Sequence, residues 1–451
     1  MKNTTGAMSE NDHYLELDEN EQNMLKLACE TCEKVVLLVN SGTPIELGFL
    51  DAVADGDDTD IGYDFSSGVD AAFQIGLPGE SGIAALGKLL KGEINPSGRT
   101  VDTYARDFMK IPAVENFSLK GISSLDSYTV GGAARDQWFI DYEESIYIGY
   151  RYFETRGEGN DEWYNANVVY PFGYGLSYTT FSQEIVEDKT NIEPSSSWDE
   201  DTRDLTVTVR VTNTGSRAGK EVVQIYAEPP YENGGVEKSA RVLIGYAKTD
   251  MLYPASEAGE GKPNSQEVTV TFDPYDFASY DYSGANDNDS SAYELDAGSY
   301  TFVVGRNAHE AFDSVSTTLT DDVIFEADPD TGYTVENRFD NADDELGSVL
   351  SRDDWDGTYP AMRTADEKAV DSAFISDLEN NYDSGNPLTA ESDAVKDAAA
   401  NRAPATVKSN EGMQLYELRG LAADNELWDE LLKRITASSL WDMLSECAFK
   451  T

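Results

Sequence analysis

Basic residues are scarce in this chain of 451 residues. Lysine and arginine together number 33 against 85 aspartate and glutamate residues, which gives a formal net charge of -52. A surface of this sign repels phosphate backbones and anionic lipids, so the composition argues against binding to nucleic acid or to a membrane surface. We interpret the acidity as a solubilising surface, with a site for cationic ligands or divalent metal as the rarer alternative.

Cysteine and histidine are also scarce. The three cysteines are Cys29, Cys32 and Cys447, and such an odd, sparse set argues against a disulfide framework. The CETC stretch has the spacing of a redox pair, but helical periodicity before it places the pair at the end of a helix, where the helix dipole disfavours a thiolate. The chain has only two histidines, His13 and His309, which argues against a metal site built from several histidines and against a Ser-His-Asp site.

Long apolar runs are missing as well. The KVVLLVN stretch at 34–40 is far shorter than the roughly 20 residues that a membrane span requires. The first twenty residues lack the apolar core of a secretory signal, which excludes secretion only if Met1 is the true start. Together with the cysteine usage, this predicts a cytoplasmic protein.

The first part of the chain, over residues 1–185, alternates between helical and strand patterns, as in an α/β domain. We expect Ile83, Leu86 and Leu90 to form the buried face of one helix. The LPGESG turn before this helix lacks the spacing of a phosphate-binding loop, so we interpret it as tight strand-to-helix packing rather than a ligand site. The predicted elements are a helix over 18–32, a strand over 34–40, a strand over 70–77 and a helix over 80–91 that ends at Gly92.

Over residues 186–320 the apolar period changes to two, which is typical of strands with one buried face. In DLTVTVRVTNTG, alternate residues from Leu205 to Val211 are apolar and those between them are polar. The stretches KEVVQIYAEP, ARVLIGYAKT, SQEVTVTFDP and GSYTFVVGRN follow, with turn signals between them. The pattern predicts an antiparallel sandwich of the immunoglobulin or fibronectin III type, with YDYSGANDNDSSAYELDAG as a long acidic loop.

The last third of the chain is acidic and has little periodicity. We expect residues 321–410 to form a connector with a helix near 364–380, and Phe339, Trp355 and Tyr359 indicate that it packs onto another part of the protein. The final stretch, NELWDELLKRITASSLWDMLSECAFKT, predicts helix again, within the range 411–451. Its apolar stripe over 427–444 would need a covering partner.

Five segments in a fixed order between residues 35 and 228 together resemble glycoside hydrolase family 3, the β-glucosidase and β-xylosidase family. They are VVLLVNSGTPIEL, LPGESGIAALGKLLKGEINPSGRTVDTYA, YEESIYIGYRYFET, YPFGYGLSYTTF and VTVRVTNTGSRAGKEVVQIYAEP. The resemblance implies the C-terminal part of the family's α/β sandwich domain, followed by its fibronectin III-like domain. TVENRFDNA...SRDDW and GMQLYELRGLAADNELWDELLKRIT are similar to the connector and the first barrel segment of members in which these domains precede a TIM barrel.

This resemblance implies that both catalytic carboxylates lie outside the chain. A retaining glycosidase needs a nucleophilic and an acid/base carboxylate about 5 Å apart. In this family the nucleophile is an aspartate of the barrel, which we expect to be absent after Thr451. The acid/base glutamate precedes a segment similar to NDHYLELDENEQNML, which places it just before Met1. The resemblance therefore assigns no catalytic residue here, and the carboxylate mechanism implies no cofactor and no metal.

Three glutamates within the chain are the alternative candidates for a catalytic carboxylate. Glu158 in RGEGND and Glu260 in AGEGKP lie in Gly-Glu-Gly triplets like the one in the family's acid/base loop. Neither triplet is at the position in the chain where the family has that loop. Glu144 in YEESIYIGYR matches a glutamate of the family motif, and Ser145 stands where the motif commonly has glycine. We interpret Glu144 as a buried partner of an arginine such as Arg151, and a substrate-facing carboxylate is the alternative.

The stretch YPFGYGLSYTTF lies where the α/β pattern changes to the sandwich pattern. Gly173 and Gly175 permit tight turns while the aromatic residues bury a large area, so we predict a seam between two domains. Sugar stacking by the loop around Trp163 and Tyr164 is the alternative.

The leading hypothesis is a cytoplasmic family 3 β-glycosidase, present as an incomplete polypeptide that is inactive alone. Its substrate would be a β-linked oligosaccharide or glycoside, and its missing partner a TIM barrel. A non-catalytic carbohydrate-binding or scaffold protein and one half of a split glycosidase are the alternatives. The acidic loops DDTD at 57–60 and NDNDSS at 286–291 lack the spacing of a calcium loop and are interpreted as solvated.

Overall fold

A computed structural model describes most of the first 361 residues. The described residues are 15–51, 64–115, 127–130, 133–136, 142–193, 205–282, 292–329, 331–335 and 349–361, with Thr364 and Leu427. The chain divides into two compact units, of which the first holds Met1–Leu125 and Phe139–Lys368 and the second holds Asp126–Trp138 and Ala369–Thr451. The features below belong to the first unit, except for one hairpin.

The α/β part contains short helices and short strands. Its helices are α1 (Glu19–Thr31), α2 (Gly79–Gly82), α3 (Ala84–Leu90), α4 (Pro112–Glu115), α5 (Tyr150–Arg156) and α6 (Asp161–Asn167). Its strands are β1 (Val36–Val39), β2 (Ala71–Gln74), β3 (Tyr104–Ala105) and β6 (Val168–Tyr170), and the hairpin of the second unit is β4 (Ser127–Val130) with β5 (Ala133–Asp136).

Helix α1 confirms the first predicted helix. The Asp18 side chain accepts a hydrogen bond from the Glu21 backbone N–H at 2.9 Å, and the Glu21 side chain accepts one from the Asp18 N–H at 2.8 Å. This reciprocal capping box satisfies two backbone donors that a helix start otherwise leaves open. The helix ends at Thr31 with Cys32 as its C-cap residue, so the CETC pair lies at its C-terminal end, as predicted. Strands β1 and β2 are likewise confirmed, each shorter than the predicted range.

The prediction of a buried face on the helix after β2 is wrong. The helix breaks into α2 and α3, and Ile83 and Leu90 are 47% and 51% exposed. The tight strand-to-helix packing predicted for the LPGESG turn is also wrong, since Leu77 is 77% exposed and Gly79 has open space around it. The predicted stop is correct, because Gly92 takes the left-handed conformation with φ +69°.

The second part is a β-sandwich. Its strands are β7 (Phe181–Ile185), β8 (Leu205–Asn213), β9 (Val222–Glu228), β10 (Val242–Lys248), β11 (Ser265–Phe272), β12 (Ser279–Asp281), β13 (Ala292–Leu295), β14 (Gly298–Gly305), β15 (Ala311–Leu319) and β16 (Val323–Phe325). The two main sheets have the strand orders β10-β9-β14-β15 and β11-β8-β7, and a smaller sheet has the order β12-β13-β16. All the antiparallel strands predicted from the period of two are present.

The alternation in β8 produces the core as predicted. Val207, Val209 and Val211 are fully buried and pack against residues of the facing sheet. Thr208 is buried as well, which the pattern did not indicate. Its hydroxyl group donates to the Lys189 carbonyl oxygen at 2.9 Å, so the buried polar group is satisfied.

The predicted long acidic loop is wrong in part, because it contains strand β13. Ala292, Glu294 and Leu295 are buried, and β13 pairs with both β12 and β16. A short strand is therefore present within this acidic stretch, and its backbone is paired with β12 and β16. The DDTD and NDNDSS loops, Phe339, the predicted helix near 364–380 and the apolar stripe beyond Leu427 lie outside the described residues.

Candidate functional site

The YPFGYGLSYTTF stretch joins the α/β part to the sandwich. The Phe172 ring stacks on Tyr150 of α5, with the ring centroids 4.7 Å apart. The Tyr150 hydroxyl group accepts a hydrogen bond from the Leu243 N–H of β10 at 2.9 Å, and the Ala308 N–H donates to the Phe172 carbonyl oxygen at 2.8 Å. Both members of this stacked pair are thus hydrogen-bonded to the sandwich, and the predicted domain seam is confirmed.

The two glycines of the stretch allow the backbones to approach closely. Gly173 has φ +79°, and its N–H donates to the Thr100 carbonyl oxygen at 2.9 Å. Its own carbonyl oxygen accepts from Gln224 Nε2 of β9 at 3.2 Å. At Gly175 a Cβ atom would collide with the Gly98 carbonyl oxygen. Both positions therefore require glycine for contact, and Gly173 also requires it for backbone conformation.

Polar groups of the INPSGRT turn complete the seam. Asn95 Nδ2 donates to the Ala218 carbonyl oxygen at 3.1 Å, and Asn95 Oδ1 accepts from the Tyr178 N–H at 2.7 Å. Arg99 forms an ion pair with Glu221, and the two side chains are only 12% and 7% exposed. A buried charge that loses its partner costs several kcal/mol, about 3–5. This pair therefore fixes the relative position of the two sequence motifs that contribute it.

A second polar cluster crosses the seam around Glu154 of α5. The Tyr164 hydroxyl group donates to Glu154 Oε1 at 2.6 Å, and His309 Nδ1 lies 2.9 Å from Glu154 Oε2. The rings of Tyr164 and His309 stack with centroids 3.7 Å apart. Burial, together with the Glu154 carboxyl group, raises the pKa of Tyr164 far above its usual range.

This cluster weighs against the alternative of sugar stacking by the loop around Trp163 and Tyr164. Tyr164 is 2% exposed, its hydroxyl group is hydrogen-bonded to Glu154, and its ring is stacked on His309. Trp163 packs at an edge-to-face angle on Tyr152 and receives the Arg156 guanidinium group over its ring. These aromatic side chains are part of the packing between α5, α6 and their neighbours. No pattern in the sequence indicated Glu154 or its contact with His309.

Glu144 lies in the loop before α5 and is 8% exposed. Burial is the main cause that raises the pKa of its carboxyl group, and the neighbouring Glu143 carboxylate raises it further. The predicted ion pair with Arg151 is wrong: Arg151 is exposed, and no ion pair of Glu144 occurs within the described part of the chain. The pairing failed because Arg151 lies on the solvent side of α5.

Ser145 has φ +53° and is the one described residue other than glycine with a positive φ. This conformation costs a residue with a Cβ atom roughly 1–2 kcal/mol, and glycine avoids that cost. It also explains the glycine of the family motif at this position.

We therefore expect Ser145→Gly to stabilise the protein by up to about 1 kcal/mol, because part of the relief is offset by the greater chain entropy of glycine when unfolded. Urea denaturation followed by circular dichroism would measure this difference. A loss of stability would show that a contact of the Ser145 hydroxyl group outweighs the backbone cost.

Glu158 and Glu260, the two glutamates in Gly-Glu-Gly triplets, lie in different surroundings from Glu144. Glu158 Oε2 forms an ion pair with Arg352 Nη2 at 2.6 Å. Glu260 is exposed in the turn where Gly259 and Lys262 form an isolated bridge in the sandwich. The structure thus places Glu158 in a contact with the connector and Glu260 on a surface turn of the other domain.

Residues 349–361 of the connector pack onto the α/β part, and Arg352 Nη1 also donates a hydrogen bond to the Lys238 carbonyl oxygen of the sandwich at 3.0 Å. Leu350 is fully buried, and its N–H donates to the Glu143 carbonyl oxygen at 2.7 Å. Trp355 contacts Tyr147 with centroids 4.9 Å apart, and the Tyr359 hydroxyl group donates to the Lys110 carbonyl oxygen at 2.8 Å. The prediction that Trp355 and Tyr359 pack onto another part of the protein is confirmed.

The described residues also bear on metal binding, thiol chemistry and membrane spanning. Among the described residues, no group of three or more histidine, cysteine, aspartate or glutamate side chains could hold a metal ion. Cys29 and Cys32 are free thiols, and Cys29 packs against Gly68. In the same ranges, no helix combines the length and the apolar character that crossing a membrane requires.

The comparisons with known proteins agree with this arrangement. Residues 1–178 match the Glycosyl hydrolase family 3 C-terminal domain, and residues 221–308 match the Fibronectin type III-like domain. The chain is 32% identical to a Beta-glucosidase of Ruminococcus albus over 310 residues, which are 69% of this chain and 26% of that protein. It is 36% identical to Beta-glucosidase A of Butyrivibrio fibrisolvens over 295 residues, or 64% of this chain and 30% of that protein.

Among solved structures, a beta-glucosidase from Paenibacillus barengoltzii has a TM-score of 0.54 at 29% identity and covers 70% of this chain. The matched part is 29% of that structure's chain, so the protein spans about a quarter to a third of the length of these relatives. An α/β domain joined through a glycine-rich aromatic seam to a fibronectin III-like sandwich defines the class. The chain belongs to glycoside hydrolase family 3, and its relationship is to the β-glucosidase-like members.

Proposed function

We propose that this chain supplies the α/β and fibronectin III-like domains of a cytoplasmic retaining β-glycosidase that removes terminal β-linked glucose or xylose. The observation that carries the proposal is the seam, because the INPSGRT and YPFGYG motifs of the family resemblance meet there through Asn95, Thr100 and Gly173. The INPSGRT and YPFGYG motifs therefore contact each other and together join the two domains. The names of the related proteins support a β-glucoside as the substrate.

The reacting carboxylates of the proposed enzyme lie outside this chain. This is supported by the environments of the three candidates: Glu158 is paired with Arg352, Glu260 occupies an exposed turn, and Glu144 is only 8% exposed, which leaves little of it accessible to a substrate. A retaining mechanism needs one ionised and one protonated carboxyl group about 5 Å apart across the glycosidic bond. We propose that a TIM barrel supplies the nucleophile and that the reaction uses neither a metal nor a cofactor.

The 451-residue chain alone is expected to hydrolyse neither p-nitrophenyl β-glucoside nor p-nitrophenyl β-xyloside above the buffer rate. A positioned pair of carboxylates accelerates such reactions by many orders of magnitude, so even a poorly formed site would be visible. The measurement is nitrophenolate release by the purified chain between pH 4 and 9. Glu144→Gln is the test variant, and Glu260→Gln, on an exposed turn, is its matched control. Turnover that disappears only in Glu144→Gln would overturn the proposal.

A further inference from the structure

Positive charge gathers at one place on this strongly acidic chain, beside the seam. Two basic side chains of the sandwich reach the turn that follows α3. Arg217 Nη1 donates a hydrogen bond to the Gly92 carbonyl oxygen at 3.3 Å, and Lys248 Nζ donates to the Ser97 carbonyl oxygen at 3.0 Å. Four further basic residues lie around the same turn. The six residues that we call the basic patch are Lys88, Lys91, Arg99, Arg217, Lys220 and Lys248.

The turn itself brings the α/β members of the patch against the sandwich. Lys88 lies in the last turn of α3 and Lys91 is its C-cap residue, so both stand where the turn begins. Asn95, farther along the turn, donates from Nδ2 to the Ala218 carbonyl oxygen at 3.1 Å. The loop over 217–220 therefore packs along the turn, and its two basic residues join those of α3 on one surface.

The remaining members are joined through strand β10. The Glu221 N–H donates to Thr249 Oγ1 at 3.0 Å, and the Thr249 N–H donates to the Glu221 carbonyl oxygen at 2.9 Å. Lys220 and Lys248 each adjoin one member of this bonded pair. Burial, and then the charges of Arg99 and Lys220, lower the pKa of Lys248. The three cations are thus close enough to repel one another.

Most of the charge of the basic patch is not neutralised by acidic side chains. Lys91 Nζ lies 3.7 Å from Glu93 Oε1, and Arg99 pairs with Glu221. The members that form no ion pair with any described residue are Lys88, Arg217, Lys220 and Lys248. Exposed charges are screened beyond about 8 Å at physiological ionic strength. A ligand at the patch therefore meets these cations rather than the acidic charge of distant surfaces.

Exposed tyrosine rings flank the patch. Tyr246 is 71% exposed and lies two residues before Lys248 on β10, so their side chains share one face of the strand. Tyr178 is 37% exposed, and its hydroxyl group donates to the Leu89 carbonyl oxygen of α3 at 2.9 Å. A tyrosine presents an apolar ring with a polar tip, while lysine and arginine bind carboxylates through charge-assisted hydrogen bonds. Rings and cations together suit a ligand that has both sugar rings and carboxylates.

We propose that the basic patch binds a β-linked glycan that carries carboxylate groups, such as the uronic acid side groups of glucuronoxylan, with Tyr246 stacking on a sugar ring. The choice of a glycan rests on the proposed function, because a β-glycosidase acts on the ends of such chains. Nucleic acid suits the patch less well. Its duplex carries a charge about every 1.7 Å, so it would extend past the patch and meet the acidic surface of a chain with a net charge of -52.

The test measures binding of the full 451-residue chain to glucuronoxylan by native affinity electrophoresis at low ionic strength. We expect the polymer to retard the parent, and Lys88→Glu with Lys220→Glu to weaken this binding at least about tenfold, because two attractive charges become repulsive. Circular dichroism checks that the variant folds. The matched control is Lys26→Glu with Arg151→Glu, which changes the net charge equally at two exposed cations outside the patch and should bind as the parent does.

Three further outcomes decide the chemistry of the ligand. Glucuronoxylan whose carboxyl groups have been reduced should no longer be bound, and equal binding of this neutral polymer would overturn the proposal, as would a parent that glucuronoxylan does not retard. Tyr246→Ala should weaken binding of glucuronoxylan but not of polyglutamate, which has carboxylates without sugar rings. Polyglutamate bound as tightly as the glycan would overturn the choice of ligand.

None of these readouts requires hydrolysis. Loss of binding therefore counts against this inference alone, whereas a complete enzyme that cleaves no β-glycoside counts against the proposed function alone.

Discussion

Replacing Gly173 with alanine is expected to lower the free energy of unfolding by about 3–5 kcal/mol. Three costs add up to this estimate. Gly173 has φ +79°, where a Cβ atom costs about 1 kcal/mol or slightly more. The new methyl group would collide with Gln224 Oε1 and lie 3.0 Å from the Tyr226 hydroxyl oxygen, and such overpacking typically costs about 1–3 kcal/mol. A displaced Gln224 would also lose its hydrogen bond to Gly173, worth about 1 kcal/mol.

The collision cannot be relieved by a simple rotation of the Gln224 side chain. Gln224 is 4% exposed, and its Oε1 accepts a hydrogen bond from the fully buried Tyr226 hydroxyl group at 2.8 Å. Its Nε2 donates to the Gly173 carbonyl oxygen, and more weakly to that of Arg306. Moving the amide would therefore leave several buried polar groups unpaired, which is why we expect the backbone of the seam to shift instead.

The matched control for this experiment is Gly159→Ala. Gly159 also has a positive φ, +68°, but a Cβ atom there would meet no other atom within 4 Å. This variant should lose only the backbone cost of about 1 kcal/mol. Urea denaturation of both variants, followed by tryptophan fluorescence and by circular dichroism, measures the difference. Equal losses in the two variants would show that the seam around Gly173 is not tightly packed.

The seam was predictable because its signals are local. Gly173 and Gly175 stand among aromatic residues in one short stretch, and that combination is typical of a tightly packed turn. The strands of the sandwich were predictable for the same reason, since β8 carries its apolar alternation within nine consecutive residues. Where a few neighbouring residues determine the conformation, the sequence alone was enough.

Features that depend on distant residues were not predictable. Glu154 and His309 are separated by 155 positions, and no local pattern indicates that their side chains meet. The burial of the helix after β2 was predicted wrongly because periodicity gives the apolar face but not whether anything covers it. Strand β13 was missed because its residues are held by β12 and β16 rather than by an apolar pattern of their own.

Glu46 is the second position where a large effect is expected, through pH. Its side chain is 1% exposed and accepts a hydrogen bond from the Phe108 backbone N–H at 2.7 Å. Burial raises the pKa of Glu46 from an ordinary value of 4.5 to about 8, and the charges of Asp107 and Glu16 add to the rise. The Phe108 N–H opposes it by favouring the ionised form.

The raised pKa fixes the direction of the pH dependence. Between pH 4.5 and 8, Glu46 is ionised in the unfolded chain but stays protonated in the folded protein. Ionisation lowers the free energy of the unfolded state only, so the free energy of unfolding falls as pH rises. Below pH 4.5 this contribution is fully present, and above pH 8 it is fully lost. A rise from 4.5 to about 8 corresponds to at most about 5 kcal/mol at 1.36 kcal/mol per pKa unit.

Glu46→Gln should remove this part of the pH dependence, because a neutral amide of the same shape can still accept from the Phe108 N–H. We expect the variant to be a few kcal/mol more stable than the parent at pH 8.5 and nearly equal to it at pH 5. Urea denaturation at the two pH values measures the difference, with Glu260→Gln as an exposed control that should follow the parent at both. If Glu46→Gln and the parent differ by the same amount at pH 5 and pH 8.5, then Glu46 does not change its protonation state within this range, and another group sets the pH dependence of the α/β part.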